Sequence, residues 1–414
     1  MSSLTDLKPR LPPRDPPHSH AAVTDAAICF VCVSLPSRVP HLPHQEHRAI
    51  RTVVAFPARN EATFILPCLE ALSAQTRPAD DIVILVNNTQ DDTVARAQSI
   101  VSKLPSRLHI IETTLPPLLA HAGHARGLAL EAAAQLAGPQ GTIMTTDADG
   151  RAPADWIDRN LGWLRCGYDA VCGRAVIDPV DEANLPSHLV ADDAAETLLG
   201  QLLDEIDHWA DPRPWNPWPR HREASGASIA VCAAVYHAVG GLPRIASGED
   251  RALVARLEQR DCKLRYDPAV HVIVSGRRVG RAEGGMAATI ARRLVKQDHW
   301  ADDRLEKPAA ALRRAILRGQ ARAAWKCADR ADWLAARLSL SEAKVAEALR
   351  KPWFGAAWAE LEQASPFLRR PRVAMRDLTA LIAEALPLLC VLRRGAAPLD
   401  GGRLDASREG APFA

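Results

Sequence analysis

The chain has no long apolar run. None of its 414 residues belongs to a stretch of the roughly 20 apolar residues that a membrane-spanning helix needs. The nearest approach, Val373–Leu392, is interrupted by Arg376, Asp377 and Glu384. The start does not read as a signal peptide: its first basic residues are followed by prolines, and the apolar run from Ala26 to Leu35 is short and late. The nine cysteines, an odd number, are scattered without a framework, and Cys68, Cys166, Cys172 and Cys232 stand in apolar surroundings. That usage fits buried thiols in a reducing compartment, and so a cytoplasmic protein. Cys29 and Cys32 form a close pair, but no second pair or histidine stands at zinc-ligand spacing. Net charge is lacking too. With 51 basic and 49 acidic residues the balance is +2, which gives no reason to expect a nucleic-acid partner.

What is present is globular. Hydrophobic residues make up 47% and charged residues 24% of the chain, ample material for a core. The charge is unevenly spread: from Arg277 to Arg394 there are 24 basic and 13 acidic side chains. A basic C-terminal third suits peripheral contact with a membrane or an acidic partner, or an ordinary solvated helical surface.

Residues 1–48, rich in Pro and His, read as a disordered arm. Strand and helix then alternate. Thr52–Phe56, Asp81–Val86, Leu108–Glu112 and the run after Gly141 read as strands. Helical patterns over about 62–75, 93–103 and 123–137 separate them. This rhythm predicts an α/β fold with a parallel sheet and helices on both faces. Further strands are expected at Ala170–Val176 and Val270–Val274, and helices at about 153–166, 189–209 and 251–260, with a helix ending near Val239 after the segment Ala224–Val231. From Met286 to Arg394 the pattern is helical, with breaks near Pro308, Ser339, Pro352 and Pro371. The expected organisation is an arm (1–48), an α/β domain (49–285), a helical region (286–394) and a flexible tail (395–414).

The stretch Gly141-Thr-Ile-Met-Thr-Thr-Asp147-Ala-Asp149-Gly150 organises the rest. It reads as a short buried strand ending in two carboxylates one residue apart. In an extended chain residues i and i+2 face the same side, at the strand end where open α/β sheets bind ligands. Carboxylates packed that closely repel unless a cation lies between them. A hard ion such as Mg²⁺ or Mn²⁺ takes a few carboxylates and fills its other positions with phosphate oxygens and water. The alternative for the segment alone is an Asx turn.

Four segments in order strengthen the first reading: Phe56-Pro-Ala-Arg-Asn-Glu61, Val86-Asn-Asn-Thr-Gln-Asp-Asp-Thr93, Asp147-Ala-Asp149, and Gly240-Gly241 followed by Gly248-Glu-Asp250. Together they resemble a family-2 glycosyltransferase with the GT-A fold, from about Val53 to Gly285. The resemblance implies a Rossmann-like mixed, mainly parallel sheet. It implies transfer of a sugar from a nucleotide-diphosphate donor to an acceptor hydroxyl, with Mg²⁺ or Mn²⁺ and usually with inversion. The acceptor could be a glycan of a cell-envelope polysaccharide, a lipid-linked molecule or a small molecule. By resemblance Asp147 and Asp149 bind the metal, and a late His, here His271, is a third ligand. Asp250 is the catalytic base, with Glu249 the close alternative; helix capping is the other reading of that pair. Pro57, Arg59 and Glu61 line the donor pocket. Asn87 or Asn88 stands where the family often has Asp. Arg126 is either a nucleotide-side cation or a solvated helix residue. Arg277 and Arg281 either grip the diphosphate or form a solvated basic loop. Trp209, Trp215 and Trp218 either pack or stack on an acceptor sugar.

Two other enzyme classes share parts of the pattern. A haloacid-dehalogenase-like phosphatase also places Asp-x-Asp after a strand, but it opens its domain with the motif and needs Thr or Val where Arg151 stands. A sugar-1-phosphate nucleotidyltransferase needs a Gly-rich opening loop that is absent. A non-catalytic binding protein of the same fold is the reading from outside the enzymes.

Overall fold

The computed structural model describes residues 50–280, 284–325 and 331–396. The arm expected over residues 1–48, the Cys29/Cys32 pair and residues 397–414 of the expected tail lie outside the described residues.

Seven strands form one sheet: β1 (Thr52–Ala58), β2 (Asp81–Asn87), β3 (Arg107–Thr113), β4 (Thr142–Thr145), β5 (Ala170–Ile177), β6 (Ile229–Cys232) and β7 (Leu264–Val274), in the spatial order β3-β2-β1-β4-β6-β5-β7. Strands β1 to β4 pair in parallel, and β5 pairs parallel with β7. β6 runs antiparallel between β4 and β5. The sheet is therefore mixed and mainly parallel, as the alternation predicted.

Helices cover both faces. Val54, Phe56, Ile82 and Ile84 point to one side, against α1 (Ile65–Ser73), α2 (Thr93–Ser99) and α4 (Trp156–Arg165). Val53, Ala55, Val83 and Leu85 point to the other, against α3 (Ala122–Ala137) and later elements. Central strands buried on both sides carry continuous apolar runs rather than alternating ones, and β2, Asp-Ile-Val-Ile-Leu-Val-Asn, is buried at all seven positions. On α3 the buried face is mostly alanine, Ala125, Ala129, Ala133 and Ala137. Small side chains let the helix lie close to β1 and β2.

After β5 come α5 (Pro179–Ala183) and the long α6 (Ser187–Ala210). Beyond β6 come α7 (Ala233–Ala238) and α8 (Glu249–Gln259). Helices α9 (Met286–Val295), α10 (Pro308–Ala324), α11 (Ala331–Leu338), α12 (Glu342–Leu349), α13 (Phe354–Ala364) and α14 (Leu378–Ala396) make the C-terminal region. Helix α6 packs with α10 and α14 in a core of Leu199, Leu203, Ile206, Ala311 and Leu389. Charge adds to that joint: the Arg318 guanidinium donates to Asp207 and Asp211, and Arg322 also pairs with Asp211. Among the described residues no helix is long and apolar enough to cross a membrane.

Two expectations are corrected. β4 ends at Thr145, so Asp147 and Asp149 stand in a turn, closed by the Gly150 amide donating to the Asp147 carbonyl at 2.9 Å. Their common direction comes from that turn and not from strand pleat. And β7 begins six residues earlier than expected, because β5 supplies a partner for Leu264–Tyr266 that periodicity does not show.

The fully buried Asp81 side chain holds the opposite end of the sheet. Arg51 and Arg107 each donate to it at 2.9 Å, and the His109 ring lies 2.8 Å away. Burial alone would raise this carboxyl; the hydrogen bonds from Arg107, His109 and Arg51 outweigh it and lower it to about 2. A depressed carboxylate contributes stability above its unfolded value of about 4, and loses it as pH falls through the folded value. Asp81→Asn is therefore expected to cost about 1–3 kcal/mol at neutral pH. Urea unfolding of the variant should also show a shallower loss of stability than the wild type between about pH 4 and pH 2; parallel curves would rule this role out.

Candidate active site

The carboxyl ends of β1, β2 and β4 open onto one cavity of about 330 Å³. Its floor is the turn Asp147-Ala148-Asp149. One side is built by Pro57, Arg59, Glu61 and Asn87, the other by Ser225, Gly226 and the residues from Ala246 to Arg251. Segments almost 200 residues apart thus meet at one point.

Arg126 makes them meet. This guanidinium is buried under the floor. It donates to Asp147 at 2.7 Å and to Glu249 at 3.2 Å. It also donates to the Thr145 hydroxyl at 2.9 Å, the Thr146 carbonyl at 3.0 Å and the Gly226 carbonyl at 3.1 Å. Burial opposes its charge, and Asp147 and Glu249 hold it firmly protonated. Gly226 is required by the approach: a Cβ there would stand 2.7 Å from the guanidinium carbon. Arg126 is thus not the solvated helix residue of the second reading; it lines the cavity from below, with its hydrogen bonds to the protein.

Asp147 and Asp149 differ. Asp147 is the more open and has one oxygen on Arg126. Asp149 is more enclosed, and Arg277 approaches it at 3.2 Å. Burial and the neighbouring Asp147 raise the Asp149 carboxyl to about 7, against the lowering effect of Arg277. Arg277 also makes a two-pronged pair with the buried Glu61, at 2.6 and 2.8 Å, and lies over the Phe64 ring at 5.1 Å. Phe64, Thr145 and Gly226 were not legible as site residues, since nothing local marks what they touch.

Glu249 and Asp250 open α8 behind Gly248, whose φ of 76° suits glycine. Both line the cavity, but Glu249 is buried and paired with Arg126, whereas Asp250 makes no such pair with it. One Asp250 oxygen accepts from the Gly226 amide at 2.9 Å and the other from the Arg251 amide at 2.7 Å.

Two candidates, His271 and Asn88, do not reach the cavity as expected. His271 is not among its lining residues; it sits in β7 opposite Arg174, with its ring nitrogen 3.3 Å from the Ala269 carbonyl. Asn88 turns the chain at a positive φ of 49°. Its side chain brackets Leu115, donating to the carbonyl at 2.9 Å and accepting from the amide at 3.1 Å. That makes it a brace between loops, while its neighbour Asn87 lines the cavity. None of Trp209, Trp215 and Trp218 lines the cavity; Trp209 and Trp218 pack against His208, the first of the two readings. Arg281 lies outside the described residues.

Among the described residues no three His, Cys, Asp or Glu side chains converge as a metal cage. Asp149 and Asp147 fit two positions on a hard cation whose remaining ligands are phosphate oxygens and water.

The sequence profile of "Glycosyl transferase family 2" matches residues 53–209. That segment belongs to glycosyltransferase family 2. The match includes β1 to β5 and the Asp147/Asp149 turn, and it ends before Glu249 and Asp250. Comparison with curated proteins gave no match. Among solved structures the chain is similar to the mannosyltransferase PcManGT from Pyrobaculum calidifontis, a complex with GDP-Man and Mn²⁺, at 18% identity over 84% of this chain and 79% of that one, TM-score 0.41. It is also similar to S. aureus TarS 1-349 in complex with UDP, at 15% identity over 83% and 87%, TM-score 0.41. A third is M. tuberculosis glucosyl-3-phosphoglycerate synthase, at 16% over 61% and 84%, TM-score 0.35.

Removing Arg126 from this transferase domain leaves Glu249 buried without its partner, so Arg126→Met is expected to cost about 3–5 kcal/mol in urea unfolding. Arg59→Ala, whose guanidinium donates only to the Ala120 carbonyl at 3.3 Å, should change stability by less than about 0.5 kcal/mol. Equal losses would show that Arg126 does not hold the site together.

Proposed function

We propose that this chain transfers a sugar from a nucleoside-diphosphate donor to an acceptor hydroxyl, by single displacement with a divalent cation. One observation carries the reading: the carboxylate pair after β4 and the carboxylates opening α8 face a single cavity, joined through Arg126. A donor-side charge centre and an acceptor-side base are what such a reaction needs.

The charge balance of the cavity supports a cation. Its described lining holds five carboxylates, Glu61, Asp147, Asp149, Glu249 and Asp250, against four arginines, Arg59, Arg126, Arg251 and Arg277. An anionic diphosphate does not enter a net acidic cleft without a counter-charge. Mg²⁺ or Mn²⁺ held by Asp149, beside Asp147, would supply it and stabilise the departing diphosphate. The donor therefore brings most of the ion's ligands with it.

The base side is assigned to Asp250. The acceptor oxygen attacks the anomeric carbon, its proton passes to the Asp250 carboxylate, and the bond from that carbon to the diphosphate oxygen breaks with its electron pair on the leaving group. Attack opposite the leaving group inverts the anomeric centre. Glu249 is the weaker choice because it is buried and already paired with Arg126. Arg277, poised between Glu61 and Asp149, is placed to turn towards the diphosphate. Asn87 is placed at the nucleotide end, where its amide oxygen can accept from a base N–H. The basic helical C-terminal region remains the candidate for peripheral membrane contact.

The test is release of nucleoside diphosphate from a panel of nucleotide sugars with Mn²⁺. Asp149→Ala and Asp250→Asn are each expected to lower kcat at least 100-fold, about 2.7 kcal/mol. UDP or GDP should raise the Tm of the wild type with Mn²⁺ and fail to do so in Asp149→Ala. His271→Ala should keep the Mn²⁺ dependence of both readouts. Full activity in both carboxylate variants would remove this assignment, and nucleotide binding with no turnover of any donor would favour a binding protein of the same fold.

A further inference from the structure

Asn87 ends β2 and Asn88 follows it, and their two amides are not independent. One backbone unit holds the Asn88 side chain. Its Nδ2 donates to the Leu115 carbonyl at 2.9 Å, and its Oδ1 accepts from the Leu115 amide at 3.1 Å. A backbone carbonyl only accepts and a backbone amide only donates. The nitrogen and oxygen of Asn88 therefore cannot change places without setting like groups against each other in both bonds. The same oxygen also accepts from the Asn87 Nδ2 at 3.3 Å. With the Asn88 oxygen fixed, Asn87 must present its nitrogen to it, and the Asn87 oxygen is turned the other way.

That second oxygen has no partner. Asn87 is only 3% exposed, and it lines the cavity. Among the described residues no donor reaches its Oδ1, and the atom is not sealed from solvent. Asn87 thus offers the cavity an acceptor of fixed direction. An aspartate at position 87 would set a carboxylate oxygen against the Asn88 oxygen, which is why an amide fits there. We infer that Asn88 is a positioning residue for base selection. By fixing the Asn87 amide with its oxygen towards the cavity, it makes the site take a nucleoside diphosphate whose base presents a ring N–H there, uracil or guanine. It makes the site reject a base that presents a ring-nitrogen lone pair, cytosine or adenine. The inference deepens the glycosyl-transfer reading and rests on it. A ring N–H gives the Asn87 oxygen its missing donor. A lone pair in that place leaves two acceptors facing each other away from water, and a site built around one hydrogen bond discriminates strongly against a ligand that cannot make it.

The test measures binding of UDP, CDP, GDP and ADP to the full chain with Mn²⁺ by calorimetry. UDP and CDP differ only on this edge of the base. The oxo base, UDP over CDP or GDP over ADP, should bind at least tenfold more tightly, about 1.4 kcal/mol. In Asn88→Gly the backbone keeps its φ of 49° without strain, and the Asn87 amide is free to flip. The preference should then fall below about threefold. Asn88→Asp still turns an oxygen to Asn87 and should retain the preference, although it loses the bond to the Leu115 carbonyl. A residue that only braced the loops would weaken all four nucleotides together in Asn88→Gly and leave their ratios unchanged. That result would overturn the inference, as would equal binding within both pairs by the wild type. Failure of the glycosyl-transfer reading shows separately, as no Mn²⁺-dependent binding of any of the four.

Discussion

A single buried guanidinium sets the geometry on which this site depends. Arg126 comes from α3, yet its hydrogen bonds end on the turn after β4, the loop before β6 and the first turn of α8. Taking that charge out of water is costly, and two carboxylates with three uncharged oxygens offset the cost. The arrangement holds only if all of them stay in place. The donor-side Asp147 and the helix that presents Asp250 are thus parts of one electrostatic unit, although 100 residues separate them in sequence. Glycine at position 226 is the steric condition for it.

The same accounting of charge explains why the carboxylates of the floor differ. Asp147 rests on Arg126, a partner that nothing else in the cavity can displace. Asp149 rests on Arg277, whose stronger tie is to Glu61. Asp149 is therefore the carboxylate whose charge is least well satisfied, and burial beside Asp147 pushes its carboxyl up to about 7. A site with one poorly neutralised carboxylate at its centre is suited to a cation that arrives with its ligand. A cage closed by protein ligands would need a third group, and His271 is held away in β7.

The sheet was legible because its signal is local. Apolar runs such as Ile82–Val86 mark strands buried on both faces, and the helical periods between them force parallel pairing. The residues of the donor side followed, since they sit at consecutive strand ends. What was not legible depends on contacts distant in sequence. The antiparallel β6 and the early start of β7 are set by the partners they find in β5. Arg126 has the composition of a surface helix residue, and only the fold shows that its side of α3 faces the floor. The resemblance points to Asn87 or Asn88 at the nucleotide, whereas the left-handed backbone of Asn88 and its bracket on Leu115 make it a brace between loops. For His271 the signal is the resemblance and its place before Ser275 and Arg277, and a lone histidine at a strand is more often packed than ligating.

The two halves of the cavity also differ in what holds them. The half proposed for the donor hangs on strands buried on both faces and on helices packed against them, so a substitution there disturbs the main core. The half proposed for the acceptor is built from the loops before β6 and α8, joined by Arg126 and by the Gly226 amide donating to Asp250 at 2.9 Å. Arg126 ties the two halves together: any change that moves α8 moves Asp147 with it.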